Sequence, residues 1–328
     1  MRLPRRNFLK LAAGAAALPV LPKIARAQAV GTQPWPSRPV RMVVGFPGGS
    51  APDLVARLTG QWLADSLGQP FIIENRPGAA SNIATDSVVR SPPDGYTLQM
   101  TVLTNVFNTT LYTNLNFVFA DDITHIAGIA NAPYVIIVPP SFPAKTVPEF
   151  VAYARANPGK INFASGGRGS SSHIFGELFK AMAGIDVVHV PYRANYMPDL
   201  LSGQVQMAIN PIPQALALIR DGKLTVLAVT TKQRLATLPD IPTAAEAVPG
   251  YEALGWYGLG GPKGMPADIV AKLNAATNKA LADPKFKERL AGMGIEPMPV
   301  APAQFVSFIG SETAKWTRVI KSAGVTLE

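Results

Sequence analysis

Twice along this chain, short β-branched apolar runs alternate with longer stretches whose apolar residues recur at helical spacing. That alternation constrains the fold more than any other feature. In the first block Val40–Val44 reads as a buried strand. Residues 53–67 then set Leu54, Val55, Leu58, Trp62, Leu63 and Leu67 on one helical face, stopped by Gly68. A strand at 71–73, a turn at 75–78, a helix at 82–90 and a strand at 96–101 complete it. After a break expected around 130–134 the pattern returns. A strand at 135–138 precedes Thr146-Val147-Pro148-Glu149, a capping box opening a helix to about Asn157. Strands at 161–164, 187–190, 205–209 and 224–229 follow, with helices at 171–182 and near 213–220. The remainder reads as helix at 267–282, 284–291 and 303–322, closed by Gly324. Such alternation argues a mainly parallel α/β sheet flanked by helices, and two blocks argue two lobes. No fixed-period repeat is present.

The net charge of +9 points to nucleic acid until it is divided by position. Residues 1–29 hold six of the 30 basic residues and none of the 21 acids, so the rest carries only +3. The electrostatic case for DNA or RNA falls with that division. Those first residues read as an export leader. Arg5-Arg6-Asn7-Phe8-Leu9-Lys10 is a twin-arginine pattern, followed by an apolar stretch at 11–20. Small-x-small cleavage sites end at Ala27 and Ala29. The apolar stretch is too short for a spanning helix, which needs about 20 residues, and no later segment approaches about 18 unbroken apolar residues. The mature protein is therefore expected to be periplasmic and not embedded in a membrane. There is no cysteine, which removes thiol catalysis, thiolate metal sites and iron–sulfur clusters.

Two segments do the same physical thing. Residues 45–53 (Gly-Phe-Pro-Gly-Gly-Ser-Ala-Pro-Asp) and 165–173 (Ser-Gly-Gly-Arg-Gly-Ser-Ser-Ser-His) each join a strand to a helix start. Glycine permits positive φ and close backbone approach, the helix start adds unpaired N–H donors, and serine adds a rotatable hydroxyl. Such a place binds an anion without needing Lys or Arg. Either loop alone reads as an ordinary turn with a serine N-cap. Two, one per lobe, point to a ligand held between them at the carboxyl ends of the strands.

Catalytic readings are weaker. Neither loop carries the lysine of a phosphate-binding P-loop, and Pro47 breaks the dinucleotide fingerprint despite Glu74 in a suggestive position. There is no G-x-S-x-G, and Ser172 and His173 diverge on a helix. His125, His173 and His189 lack the i,i+3 or i,i+4 partners of a metal site. His189 reads as a hydrogen-bonded core residue, and His173 as a helix-start residue able to bond the loop. No cofactor and no metal are expected.

An ordered series of short motifs then carries a resemblance. It runs through Trp35-Pro36-Ser37-Arg38-Pro39-Val40, Glu74-Asn75-Arg76-Pro77-Gly78-Ala79, Pro93-Asp94-Gly95-Tyr96-Thr97-Leu98 and Asn108 with Leu111-Tyr112. It continues through 165–173, Val190-Pro191-Tyr192-Arg193, Gly203-Gln204-Val205, Leu227-Ala228-Val229-Thr230 and the helix at 316–324. The series resembles the extracytoplasmic solute receptors of tripartite tricarboxylate transporters, the Bug (Bordetella uptake gene) family. The resemblance implies a two-lobed, type II-like Venus-flytrap receptor that closes on a small organic carboxylate and delivers it to membrane transporter subunits. It implies a first lobe from 30–130 plus 250–328 and a second from 131–249. It places ligand contacts at Phe46, Pro47, Gly48, Gly49, Ser50 and Asp53, and at Ser165, Gly166, Gly167, Gly169, Ser170 and Ser171. Asn108 and Tyr192 join them through the matching motifs. The chain departs from the family at Arg193-Ala194-Asn195-Tyr196-Met197, at Asn210 where an acid is frequent, and at Arg168, a cation in a commonly neutral loop. Arg168 and Asn210 are thus candidates for a second anionic group. The other reading left open is a periplasmic α/β enzyme acting on a carboxylated substrate.

Overall fold

A computed structural model describes residues 34–326. The expected leader at 1–29, with its twin arginines and cleavage sites, lies outside the described residues.

The first block builds β1 (Val40–Val44), α1 (Ala51–Leu67), β2 (Phe71–Asn75), α2 (Asn82–Val89), β3 (Thr97–Val102), α3 (Leu103–Leu111) and the short α4 (Phe119–Asp122). Next come β4 (Ile123–Val138), α5 (Val147–Ala156), β5 (Asn162–Ser165), α6 (Ser171–Ala183) and β6 (Val188–Pro191). Then follow α7 (Met197–Ser202), β7 (Met207–Pro211), α8 (Ile212–Arg220), β8 (Thr225–Val229) and β9 (Leu254–Pro262). The chain finishes with α9 (Ala267–Ala282), α10 (Pro284–Gly292), β10 (Glu296–Pro297) and α11 (Pro302–Ser322).

Local chemistry accounts for the helix ends nearest the site. Pro52 sits in the first turn of α1, and Gly68 ends it in the left-handed region at φ 77°. Ser170 caps α6 by accepting from the His173 N–H, and Gly184 ends it at φ 60°. Thr146 likewise caps α5, accepting from Glu149 N–H.

The strands form a mixed sheet in the order β2-β1-β3-β9-β4-β7-β5-β6, with β8 and β10 also paired to β4. The outer strands of each half pair parallel: β1 with β2 and β3, and β5 with β6 and β7. The two long strands through the middle run antiparallel to their neighbours. One expectation is corrected here. No break occurs at 130–134, because β4 is a single 16-residue strand. Its first part pairs with β9 from Ile123↔Pro262 to Pro133↔Leu254, and its second with β7 and β8. Asn131 and Pro133 look like loop residues in sequence. Within the sheet they are tolerated because the ladder carries irregularities and the two partners change hands nearby.

The helices cover the sheet with apolar side chains. Trp316 of α11 is fully buried against Phe107 of α3 (centroids 4.9 Å apart) and Phe175 of α6 (5.3 Å). That aromatic contact ties the helix after β3 to the helix after β5. Both helices begin beside the same cavity.

Candidate functional site

A cavity of about 390 Å³ opens where the β1–α1 and β5–α6 loops meet, walled by residues of β4, β7 and β9. Phe46, Pro47, Gly48, Gly49 and Ser50 line one side; Gly166, Ser170 and Ser171 line another, with Tyr192 and Asn210 completing the set of predicted residues that reach it. Among the described residues, Arg193 carries the one charged side chain of the lining, and no acid lines it. An anion entering meets no like charge on these residues.

The other predicted residues stand behind the lining. Asp53 is buried, and its carboxylate accepts from the Gly49 N–H (2.9 Å), Arg57 Nε (2.9 Å) and Asn75 Nδ2 (2.9 Å). Burial pushes its pKa up, but the bonds from Arg57, Gly49 and Asn75 outweigh burial and leave it below the usual value. Asp53 thus holds the first loop. Asn108 is buried and donates to the Ala80 carbonyl (2.7 Å) and Asn82 Oδ1 (2.6 Å), bracing α3 against the start of α2. Ser165, Gly167, Arg168 and Gly169 do not line the cavity; Ser165 and Gly169 are buried beneath the loop, and Arg168 is exposed.

The loop amides behave differently from a simple anion cradle. Gly49 N–H is spent on Asp53, Gly167 N–H on Ser165 Oγ (3.2 Å) and Gly169 N–H on His173 Nδ1 (3.1 Å). The glycines still matter, since Gly167 and Gly169 have φ of 108° and 79°, where a Cβ is strained. Their role is to turn the loop. Donors left for a ligand are hydroxyls and helix-start amides. Ser50 is the clearest: its Oγ is buried, has no hydrogen-bond partner and makes no cap bond to α1. Such an orphaned hydroxyl costs stability until something accepts from it. Ser171 Oγ sits 3.1 Å from Thr104 Oγ1, a lining hydroxyl at the start of α3.

Sequence reasoning missed the aromatic walls. Tyr134 on β4, Tyr196 before α7, and Trp256 and Tyr257 on β9 all line the cavity and are buried. Burial pushes the Tyr134 phenol up to about 12, with the Ser171 hydroxyl pulling the other way. Tyr196 and Tyr257 are raised further, again by burial first and then by the neighbouring Tyr134. All three therefore stay protonated near neutral pH and can donate. Tyr196 already donates to Asn210 Oδ1, which fixes the amide that faces the ligand space. Tyr192 donates to Asp199 Oδ2 (2.6 Å), and that carboxylate lifts its pKa to about 12.

One pair has the distance of a nucleophile and base: Ser165 Oγ lies 2.6 Å from His189 Nε2. Ser165 is fully buried, lies outside the cavity lining and has its hydroxyl within reach of the Gly167 carbonyl and amide. A substrate carbon could not reach that oxygen. The pair belongs to the scaffold.

A mixed sheet with flanking helices around a cavity between two strand–helix loops is the two-lobed fold of periplasmic solute-binding proteins. The model of the tripartite tricarboxylate transporter family receptor matches residues 55–325, and the chain belongs to that family. It is similar to Rpa4515 of R. palustris, solved with adipate, at 35% identity and a TM-score of 0.86, covering 89% of this chain and 99% of that one. The periplasmic binding protein BugD aligns at 33% identity and a TM-score of 0.85, over 89% and 99%. MatC of Rhodopseudomonas palustris, with bound malate, aligns at 33% identity and a TM-score of 0.82, over 87% and 99%. Among the described residues no helix is long and apolar enough to cross a membrane.

Proposed function

We infer that this protein is a non-catalytic receptor that takes a small organic carboxylate between the 45–53 and 165–173 loops and passes it to the membrane subunits of a tripartite tricarboxylate transporter. The observation carrying this reading is the buried, unpartnered Ser50 hydroxyl in a cavity whose lining holds Arg193 and no acid. Adipate and malate in two relatives are both dicarboxylates, which favours that ligand class here. One carboxylate would accept from Ser50, Ser171 and the first amides of α1 and α6; the aromatic walls would flank the carbon chain. Lobes made of 30–130 with 250–328 and of 131–249 would suit this arrangement, with β4 as the strand crossing from one to the other. Twin-arginine export to the periplasm, with cleavage after Ala27 or Ala29, would put the receptor where its transporter faces.

Calorimetric titration of the mature protein with adipate and malate, beside mass spectrometry of any co-purifying acid, tests this. The expected result is stoichiometric binding of at least one dicarboxylate without product. Ligand at 100 times Kd should then stabilise the fold by about 2.7 kcal/mol. No binding of either acid and no co-purified carboxylate would sink the reading.

A further inference from the structure

Behind the second loop, two histidine rings stack at 3.9 Å between centroids and 21° between planes. His173, on the first turn of α6, is buried; its Nδ1 accepts the Gly169 N–H at 3.1 Å. His189, on β6, meets Ser165 Oγ through Nε2 at 2.6 Å. Ser165 Oγ also takes the Gly167 N–H (3.2 Å) and lies 3.1 Å from the Gly167 carbonyl. The hydroxyl is fully satisfied if it donates to that carbonyl and accepts from both Gly167 and the His189 Nε2–H. The Gly169 N–H therefore ends on the His173 ring, and the Gly167 N–H ends on Ser165 Oγ, which also accepts from His189.

Phe163 of β5 also packs against His189, with ring centroids 4.8 Å apart. The charged groups facing the pair are Arg168 of the loop and Lys180 and Glu177 of α6. Glu177 lies 4.0 Å from His173 Nε2, on the side away from Gly169. With Nδ1 occupied as an acceptor, His173 must be the neutral Nε2–H tautomer. A proton on Nδ1 would set two donors against each other.

We propose that His173 is a positioning residue of the ligand site, a neutral acceptor that locks the 166–170 backbone through Gly169, with His189 and Ser165 locking Gly167 beside it, so that Gly166, Ser170 and Ser171 face the ligand. The proposal rests on the receptor reading for what the loop binds, but the locking itself needs no ligand. It is consistent with the state of the rings. Burial first, then Arg168 and Lys180, hold His173 down at about 4; burial, His173 and the same cations hold His189 at about 3. Both are uncharged at neutral pH.

His173→Leu removes the acceptor, whereas the Oδ1 of His173→Asn stands close to where Nδ1 stood. Amide exchange at Gly169 in the ligand-free protein should rise about tenfold or more in His173→Leu, the weight of one lost hydrogen bond. It should return to within about threefold of wild type in His173→Asn. Adipate or malate affinity should follow the same order, about tenfold weaker and then restored. Exchange and affinity unchanged in His173→Leu would overturn the proposal, as would equal damage from both variants, which would mean the ring acts by bulk. Should His173→Leu not fold, proton–nitrogen correlation spectra of wild-type His173 still decide, since an Nδ1–H tautomer at neutral pH overturns the lock. If wild type binds neither acid, the receptor reading fails while the Gly169 exchange result stands on its own.

Discussion

The two ligand-facing loops look alike in sequence and are wired differently. In the first, one ionised carboxylate gathers the turn: Asp53 takes Gly49, Arg57 and Asn75 together. In the second, two neutral imidazoles and a serine divide the work between Gly167 and Gly169. The serines have exchanged roles too. Ser170 spends its oxygen on the His173 N–H as a helix cap, while Ser50 caps nothing and leaves its hydroxyl unpartnered. Two glycine- and serine-bearing loops can thus present a structural serine in one and an available serine in the other. Which is which depends on whether a neighbouring side chain has already fixed the turn.

The sharpest break in the comparison comes from Asp53→Ala. It removes the acceptor of the Gly49 N–H and releases Arg57 and Asn75, and should cost about 3 kcal/mol of stability in urea unfolding. A loss under about 1 kcal/mol would mean the first loop is held by something else. Ser50→Ala comes next. Because its hydroxyl is buried without a partner, the ligand-free protein should be unchanged or slightly more stable, while dicarboxylate affinity falls roughly tenfold. Ser170→Ala should do the reverse in stability, losing about 1 kcal/mol with the cap. If the two serine variants behave identically, the exchange of roles is wrong.

Acid should separate the loops by order of failure. His173 has a folded pKa of about 4 against an ordinary 6.5, so its contribution is full above 6.5 and is lost as pH falls from there towards 4. Asp53 is lowered from 3.8, so its contribution persists down to 3.8 and is lost only below it. In amide spectra recorded down the pH scale, Gly169 should therefore shift before Gly49. The smallest effect belongs to Arg168→Ala. Removing a cation that disfavours the charged ring should raise the His173 pKa, read by its own titration.

Much of the scaffold is legible in the sequence. The runs at 40–44 and 225–229, the helix faces of α1 and α6, and both loops follow from periodicity and turn chemistry alone. The strand β9 does not. Its Gly255, Gly258, Gly260 and Gly261 argue against a strand in isolation, yet the fold requires them. A Cβ on Gly258 would lie 2.3 Å from Phe305, and one on Gly260 would lie 2.7 Å from Ile123. Close packing of α11 and β4 selects glycine there, over any strand preference. The unbroken β4 was hidden in the same way by Asn131 and Pro133. Tyr134, Trp256 and Tyr257 went unseen as cavity walls because they sit on the two strands whose sequence hides them.

What the sequence determined by itself is therefore local: where strands give way to helices, and which two turns could face an anion. Those features depend on neighbours a few residues apart, and residue type is enough to fix them. Tertiary structure decided the rest. That Gly169 would donate to His173 rather than to a ligand, that His189 would complete Ser165 from 24 residues away, and that β4 and β9 would wall the cavity are outcomes of long-range packing. A donor's partner is chosen by which buried acceptor the fold brings within 3 Å or so, and burial makes leaving any of them unmatched too costly.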